Sequence, residues 1–543
     1  MRSATGGRRR DRRKRTLTLR PSRVTVRRRH ARESCVGATP AGPRCVYRTT
    51  ARPPSEVTVS ITQQPSPAHP KLLSVDEATW LGQDAVAEIY RQHISPGQWT
   101  AFGLLGFDRI AIDHAEDVYY VDRSGRRILD FFGGFGAMAL GHNHPRVLAV
   151  RRRFQEQQRH ELALALPSQY VAALSRNLAT LAPEGLDRVM LYCTGSEAVE
   201  AALKLAERAQ GPRRANVAYA RNSLHGKTIG ALSVTDSEFY RGHFEVLPRR
   251  QAVPFGDAAA LEDLLRRDRG IGVLILETVQ GGAGVVLPPP GYLEQVRRLC
   301  DRYGVLWIAD EVQCGVGRTG RFFAFEHAGV TPDIVTLAKA LGGGKTAISA
   351  VLAGHEIHER AYGGARNALV HGPATFSGMG EACCTAIETL HVLHDENLLA
   401  NAAEQGEHLI SGLHRLHRRH PKLIRDVRGS GLMAAVEFAD LSGCLPGLTG
   451  RVAGVFDRPL RGSVAMLAGS QLLSESGILV AFTDYNRNVV RLEPPLTIGP
   501  QHVDMLVEGF DALLSQGLKG LATGYLHRRY RSQITQSTRA GIP

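Results

Sequence analysis

The segments GVLWIAD (residues 304–310) and DIVTLAK (residues 333–339) decide the fold, because each is an apolar run that ends in a charged residue. Two earlier runs, RVMLYC (188–193) and IGVLIL (271–276), have the same nearly continuous apolar character, and segments with helical periodicity separate the four. Strands of a parallel sheet that helices cover on both faces show this pattern. The sequence therefore predicts an α/β domain built on a mostly parallel sheet.

Polar residues follow each of these four runs. Ligands of such sheets bind beyond the carboxyl ends of the strands, so these residues are expected to meet at one edge. They are Thr194, Gly195, Ser196, Glu277, Asp310 and Lys339.

Ser196 begins a segment whose apolar residues fall on one helical face and which ends near Gly211. Backbone N–H groups at Thr194, Gly195 and Ser196, together with the helix dipole, are suited to hold a phosphate. An ordinary Thr/Ser helix cap explains the same residues, and this motif taken alone favours the cap.

Asp310 and Lys339 both stand in apolar surroundings, where a charge is costly. A buried cation would stabilise Asp310, and either an internal arginine or the protonated ring nitrogen of pyridoxal 5'-phosphate (PLP) would serve. For Lys339, desolvation lowers the pKa and makes the amine a nucleophile toward an aldehyde, whereas an amine that reaches solvent is the alternative. Asp310 and Lys339 together are a far more specific signal of a PLP site than either residue alone.

The basic charge of the chain is confined to its beginning. Residues 1–53 carry 16 Arg and Lys14 against Asp11 and Glu33, which accounts for the whole net charge of +15, so the remainder is neutral. A basic, nucleic-acid-binding surface on the folded part is therefore not indicated. We expect residues 1–71 to be a basic, Pro-containing disordered leader, and favour an inert leader over an organelle transit peptide or a nucleic-acid-binding tail.

The remaining chain divides into four predicted parts. Residues 72–125 form an N-terminal segment that packs on the small domain, residues 126–400 the large PLP-binding domain, residues 401–523 a smaller α/β C-terminal domain and residues 524–543 a polar tail. No apolar run is long enough to predict a membrane span. Eight cysteines without a paired CxxC set indicate reduced thiols, and we predict no metal site.

A set of motifs between about residues 100 and 520 resembles the class III, ornithine/putrescine-type aminotransferases. The motifs follow the order of that family and include GHNHP (141–145), CTGSEAVEAALKLA (193–206), ETVQGG (277–282), ADEVQCGVGRTG (309–320), TLAKALGGG (336–344), ATF (374–376), VRGSGL (427–432) and RLEPPLT (491–497).

The resemblance implies a PLP-dependent transferase of fold type I, a homodimer with active sites at the interface. It implies that Lys339 binds PLP as a Schiff base, that Asp310 pairs with the ring nitrogen and that Gln313 contacts the ring hydroxyl. Arg428 is the predicted ligand of a substrate carboxylate. The predicted cofactor-binding residues are Thr194, Gly195, Ser196, Leu224, His225, Glu277, Asp310, Gln313, Lys339 and, from the neighbouring subunit, Thr375.

The sequence departs from the family in three places. Leu224 stands where an aromatic residue usually stacks on the cofactor ring, and Gly282 where a glutamate often neutralises the carboxylate-binding arginine. The loop after Thr375 also differs, with ATFSGMG in place of the usual TTFGGNP. Substrate preference is therefore left open.

The predicted function is transfer of an amino group from an amine donor (a diamine, an ω-amino acid or a related amine) to a 2-oxo acid through PLP. Another PLP reaction on the same fold (an aminomutase, racemase or decarboxylase) is the nearest alternative. A non-catalytic relative whose basic tail touches nucleic acid is the other. We expect a cytoplasmic protein, or an organelle-matrix protein if the leader is a transit peptide.

Overall fold

The computed structural model describes residues 72–161, 166–371, 374–440 and 462–524, so the predicted leader and polar tail lie outside the described residues, apart from Gly524. Contacts divide the chain after Ser74, and Val75–Pro543 form one compact unit. The predicted boundaries at residues 125 and 400 stay a prediction. None of the described helices is long and apolar enough to cross a membrane.

The described helices cover the sheets and connect their strands. They are Val75–Thr79, Gln83–Ile89, Pro96–Leu105, Gly133–Gly136, Pro145–Glu156, Gln169–Leu181, Gly195–Gln210, Ile229–Leu232, Glu238–Arg241, Ala258–Arg267, Tyr292–Tyr303, His355–Tyr362, Ala365–His371, Gly380–Asp395, Leu398–Arg419, Ser463–Gln471 and Pro500–Ser515.

A seven-stranded sheet forms the centre, in the order β4-β10-β9-β8-β7-β5-β6. The four apolar runs form the strands β4, β7, β8 and β9. Of these, β7, β8 and β9 are fully buried and end at the predicted site. The strands are β4 (Arg188–Tyr192), β5 (Asn216–Ala220), β6 (Arg250–Val253), β7 (Ile271–Glu277), β8 (Leu306–Asp310), β9 (Ile334–Leu337) and β10 (Ser349–Ala353).

The central sheet is parallel except at β10, which pairs antiparallel with both β4 and β9. Helices cover both faces, as predicted. On one face, Ile308 and Ile334 pack in a core with helix Gly195–Gln210, whereas on the other Trp307 packs with helix Tyr292–Tyr303. Successive side chains of β8 pack into cores on opposite faces of the sheet. Because both faces are buried, no polar residue interrupts the strand before Asp310.

Two four-stranded sheets complete the fold. One contains β1 (Ile112–Glu116), β2 (Tyr119–Asp122), β3 (Arg127–Asp130) and β13 (Ile478–Leu479), and the other β11 (Ile424–Ser430), β12 (Met433–Phe438), β15 (Val489–Leu492) and β14 (Ala481–Phe482). The apolar run GILVAF (477–482) predicts a single strand, but the structure divides it between the two sheets, because the chain leaves β13 at Val480 and enters β14.

The residue pattern from Asp76 to His93 predicts a helix, which the structure shows to be interrupted. Helix Val75–Thr79 ends before Gly82, whose extended backbone begins the next helix, Gln83–Ile89. Glycine is a poor helix former, which explains the break. The dipeptide Ser124-Gly125 predicts a turn between two strands, and the structure confirms it: Gly125 has a φ of 83°, and the Asp122 carboxylate accepts hydrogen bonds from the backbone N–H groups of Ser124 and Arg126.

Candidate active site

A cavity of about 650 Å³ lies at the carboxyl edge of the central sheet. Nine of the eleven predicted site residues line it, and the strand ends deliver them as expected. These residues are Thr194, Gly195, Ser196, Leu224, His225, Glu277, Asp310, Gln313 and Lys339.

Thr194 caps the helix Gly195–Gln210. Its side chain accepts a hydrogen bond from the N–H of Glu197, and the Glu197 carboxylate accepts one from the N–H of Thr194 at 2.8 Å. In this capping box the N–H of Thr194, one of the three proposed to bind a phosphate, is already hydrogen-bonded. Those of Gly195 and Ser196 make no hydrogen bond within the described residues and stand at the positive end of the helix dipole.

Gly195 is required by close packing. A Cβ atom there would lie 2.8 Å from Cγ1 of Val312, which follows β8. The start of the helix is thereby pressed against the end of the strand that ends in Asp310. The absence of a side chain also leaves the backbone N–H open to the cavity, as a phosphate requires.

Asp310 is a fully partnered carboxylate at the tip of β8. Oδ1 accepts hydrogen bonds from the Thr336 hydroxyl and the Val312 N–H, both at 3.0 Å, and Oδ2 lies 2.7 Å from Nδ1 of His225. Nε2 of His225 is buried without a hydrogen-bond partner among the described residues. These contacts fix the carboxylate in one orientation.

Glu277 ends the neighbouring strand β7. Its two oxygens accept hydrogen bonds from the N–H groups of Leu224 (2.9 Å) and Gly281 (3.1 Å). The pKa of Glu277 is raised to about 7: burial is the main cause and the nearby Asp310 adds to it, while His225 and the two backbone hydrogen bonds oppose the rise. Glu277 therefore holds together the two loops of the cavity wall that contain Leu224 and Gly281.

Lys339 lies directly after β9, beside Asp310 of the adjacent β8. Its φ of 42° is unusual for a residue with a long side chain, and such left-handed backbone is concentrated at functional sites. Burial lowers the pKa of Lys339, whereas the negative charge of Glu493 opposes this shift. Lys339 is half-buried and lines the cavity, and the direction of this shift agrees with the desolvation expected from its apolar neighbours.

Gln313 is held by a residue that the sequence reasoning missed. Its Nε2 donates to Oε1 of Glu493 (2.8 Å) and to the carbonyl of Phe135 (3.2 Å). Arg491, two residues before Glu493, is also buried: its Nη1 donates to the Gly281 carbonyl, and its guanidinium lies 4.7 Å from the ring centre of Phe135. A charged pair inside the apolar strand segment VVRLEP was the available signal.

Two predicted residues do not line this cavity. Arg428 binds the carboxylates of Asp426 (2.7 Å) and Glu437 (2.8 Å) and the Gly284 carbonyl, so its guanidinium is already engaged. Its role toward a substrate carboxylate stays a prediction that this geometry does not favour. Thr375 is exposed, and a role at the partner subunit's site stays a prediction, since one chain does not test it.

Leu224 and Gly282, two residues that differ from the family pattern, contact each other. A Cβ atom on Gly282 would lie 2.9 Å from Cβ of Leu224 and 3.5 Å from the ring of Tyr485. The two residues are therefore complementary: the leucine occupies the space that a side chain at position 282 needs. The result is an uncharged wall.

We expect Gly282→Ala to destabilise the protein by about 1–3 kcal/mol, the usual cost of overpacking. Chemical denaturation of the variant measures this loss. The double variant Gly282→Ala/Leu224→Ala should recover part of it, since the second change removes Cδ2 of Leu224, which lies 3.1 Å from the new Cβ, and leaves only the contact with Cβ of residue 224. Equal stability of the wild type and Gly282→Ala would contradict the contact.

The residues of the cavity fit a phosphorylated heterocyclic aldehyde. The free N–H groups at the helix start suit its phosphate, the oriented Asp310 carboxylate suits a protonated ring nitrogen, and the desolvated amine of Lys339 suits its aldehyde. Among the described residues there is no group of three or more side chains that would hold a metal ion. The fold and this cavity together define a PLP-dependent transferase of fold type I.

The model of the family described as aminotransferase class-III matches residues 106–514. The chain belongs to the class III aminotransferases. It moves an amino group from an amine donor to a 2-oxo acid, and PLP is its cofactor.

Solved structures agree with this assignment. An ornithine aminotransferase from Toxoplasma gondii, in which PLP partially occupies the active site, is 30% identical, with a TM-score of 0.68 over 81% of this chain and 97% of that one. The acetylornithine aminotransferase from Elizabethkingia anophelis is 28% identical (TM-score 0.64; 80% and 98% covered). A transaminase from the marine bacterium Virgibacillus is 25% identical (TM-score 0.70; 81% and 99% covered).

Proposed function

We propose that Lys339 binds the cofactor covalently and transfers the proton in both halves of the transamination. The observation that supports this most directly is its place: the amine follows β9, and the Asp310 carboxylate ends the adjacent β8. Because burial lowers the pKa of Lys339, more of the amine is neutral near pH 7, and a neutral amine accepts the proton from the donor carbon. When bound, PLP supplies the aldehyde that carries the amino group and the ring that accepts electrons.

The other residues orient this reaction. Asp310 holds a proton on the ring nitrogen, and Thr336, Val312 and His225 prevent the carboxylate from turning away. Gln313, fixed by Glu493, presents its amide to the ring hydroxyl. Gly195 and Ser196 bind the phosphate through their N–H groups.

The test is a half-reaction. Mixing the PLP-loaded enzyme with a primary amine alone should bleach the visible absorbance of the lysine-bound cofactor, and a 2-oxo acid added afterwards should restore it. A racemase, aminomutase or decarboxylase turns over without this stoichiometric bleaching. Turnover at constant absorbance would therefore overturn the proposal in favour of one of those reactions.

We propose that Arg491, rather than Arg428, binds the carboxylate of the 2-oxo acid. Nε of Arg491 is buried without a partner among the described residues, and Nη1 lies 3.9 Å from Glu493, too far for a strong hydrogen bond. A carboxylate bound by a guanidinium fork would satisfy this nitrogen. No acid at position 282 competes for it.

Arg491→Gln should raise KM for the 2-oxo acid about 10- to 100-fold, the usual loss for a hydrogen bond to a charged group. Bleaching by an apolar primary amine should change much less. Arg428→Gln is the matched comparison: it breaks ion pairs with Asp426 and Glu437, so it should lower thermal stability and leave KM close to that of the wild type. The reverse pattern would restore the original assignment to Arg428.

We also propose a homodimer in the cytoplasm. The exposed Thr375 and the 59% exposed Phe376 support a contact between copies, because a large apolar side chain next to a polar one at the surface suits an interface. Sedimentation of the wild type and Phe376→Ser tests this contact.

The free cysteines among the described residues support a reducing compartment, which cell fractionation tests.

A further inference from the structure

A second cavity, of about 950 Å³, lies next to the first and is lined mainly by apolar side chains. Helix Pro96–Leu105 contributes Phe102, Leu104 and Leu105 to it, and helix Ser463–Gln471 contributes Met466. Helix Pro96–Leu105 has no buried residue although it is mostly apolar, and Leu104 is 38% exposed. An apolar surface of this extent on a soluble fold indicates a binding site.

A single layer of residues separates the two cavities. Phe135 lines the apolar cavity, and its carbonyl accepts the hydrogen bond of Gln313, which lines the cavity of Lys339. Thr483 also lines the apolar cavity, and its hydroxyl donates to the carbonyl of Gly282. The two cavities therefore adjoin at this layer, and a group that extends from a substrate past Gln313 would point toward the apolar cavity.

Phe135 is held in place by its backbone. Its φ is 57°, which is rare for an aromatic residue, and it stands in the turn Gly133–Gly136. The Phe135 ring packs edge-to-face on Phe132 at 4.6 Å between centroids and is 40% exposed. Strained backbone that presents a large apolar side chain between two cavities is typical of a ligand contact.

The charges around the apolar cavity disfavour a donor with a second charge. The charged residues among the described lining are Asp484 and Arg487, which are both exposed and opposite in charge. Oδ2 of Asp484 accepts a hydrogen bond from the hydroxyl of Tyr240 at 3.2 Å. The other lining side chains are apolar or uncharged, and the wall formed by Leu224 and Gly282 provides no acid either. A second ammonium group among them would lose its hydration without a buried counter-ion, which is unfavourable.

We propose that the apolar cavity binds the hydrocarbon part of the amino donor, so that this enzyme prefers primary amines that have a long apolar chain and no second charge. This inference rests on the proposed transamination and specifies its substrate. Such a donor differs from ornithine and acetylornithine, after which two of the similar enzymes are named.

The test is the bleaching half-reaction of the PLP-loaded, full-length enzyme with n-alkylamines from propylamine to decylamine. We expect kcat/KM to rise by up to about 4-fold for each methylene that enters the cavity, as apolar burial predicts, and to level off when the cavity is full. A diamine should react more slowly than the monoamine of equal length. A flat or falling series, or faster diamines, would overturn the inference while bleaching by short amines keeps the proposed function intact.

Variants connect the effect to the cavity. Met466→Trp and, independently, Leu104→Trp fill it and should lower the ratio of kcat/KM for decylamine to that for propylamine at least 10-fold. Met505→Trp is the matched control, because Met505 is 41% exposed and lines neither cavity. If both cavity variants leave the ratio unchanged and alter the oligomeric state, a second copy of the chain covers this surface and the inference is wrong. If no amine bleaches the enzyme, the proposed function itself fails.

Discussion

Lys339→Ala should lose the visible absorbance of lysine-bound PLP and nearly all turnover. Loss of proton transfer alone lowers kcat by about 10²–10⁴-fold, and loss of covalent attachment adds to this. The visible spectrum of the protein reconstituted with PLP and the rate of the amine half-reaction measure the two effects separately. The expected protein is folded, because removal of a desolvated amine relieves an unfavourable burial.

Lys345 provides a stringent comparison. It lines the same cavity, burial lowers its pKa as well, and its amine donates to the side chain of Asn143. If Lys345→Ala abolishes the absorbance while Lys339→Ala retains it, the attachment residue has been assigned to the wrong lysine. A small amine such as methylamine should partly rescue turnover in Lys339→Ala, since it replaces the missing base.

Asp310→Asn should lower kcat by about 10²–10³-fold, the range for removal of one preorganised electrostatic partner. The amide has nearly the shape of the carboxylate but no charge, so the ring nitrogen is no longer kept protonated. Single-turnover bleaching by an amine measures the effect, and PLP affinity should fall much less than kcat.

Thr336→Val separates charge from orientation. It removes the hydroxyl that donates to Oδ1 of Asp310 at 3.0 Å but leaves the carboxylate in place. Its expected effect on kcat is much smaller than that of Asp310→Asn. Equal losses in the two variants would mean that Asp310 acts through packing and hydrogen bonding alone.

The central sheet and its catalytic edge were predictable because buried parallel strands give uninterrupted apolar runs. Asp310 and Lys339 stood out for the same reason, since a charge after such a run needs an explanation. The antiparallel β10 was not predicted, because its apolar pattern does not encode strand direction. The division of GILVAF between two sheets depends on the break between the strands at Val480, where the sequence has no typical turn residue.

The role of Arg428 as a ligand of a substrate carboxylate stays a prediction. Arg428 forms ion pairs with Asp426 on the same strand and with Glu437 on the paired strand, and the second contact could not be seen without the strand pairing. Conversely, the charged pair Arg491 and Glu493 inside an apolar segment indicated that a charge is buried there, but not which residues it contacts. Their burial beside Gln313 and Gly281 is a tertiary fact.

The position of β10 separates β4 from β9. Because β10 lies between them, these two strands run two spacings apart, roughly 9.5 Å. The chain after β4 crosses this gap, since a Cβ atom on Gly195 would lie 3.5 Å from Cβ of Ala338, the residue before Lys339. The hydroxyl of Ser349, at the near end of β10, donates to the Thr194 carbonyl at 2.8 Å and ties this intervening strand to the helix start. The residues proposed for the phosphate and for the aldehyde of PLP are thus held in one frame by the sheet and its packing, so a change elsewhere in the cavity wall can alter the choice of amine without altering the distance between them.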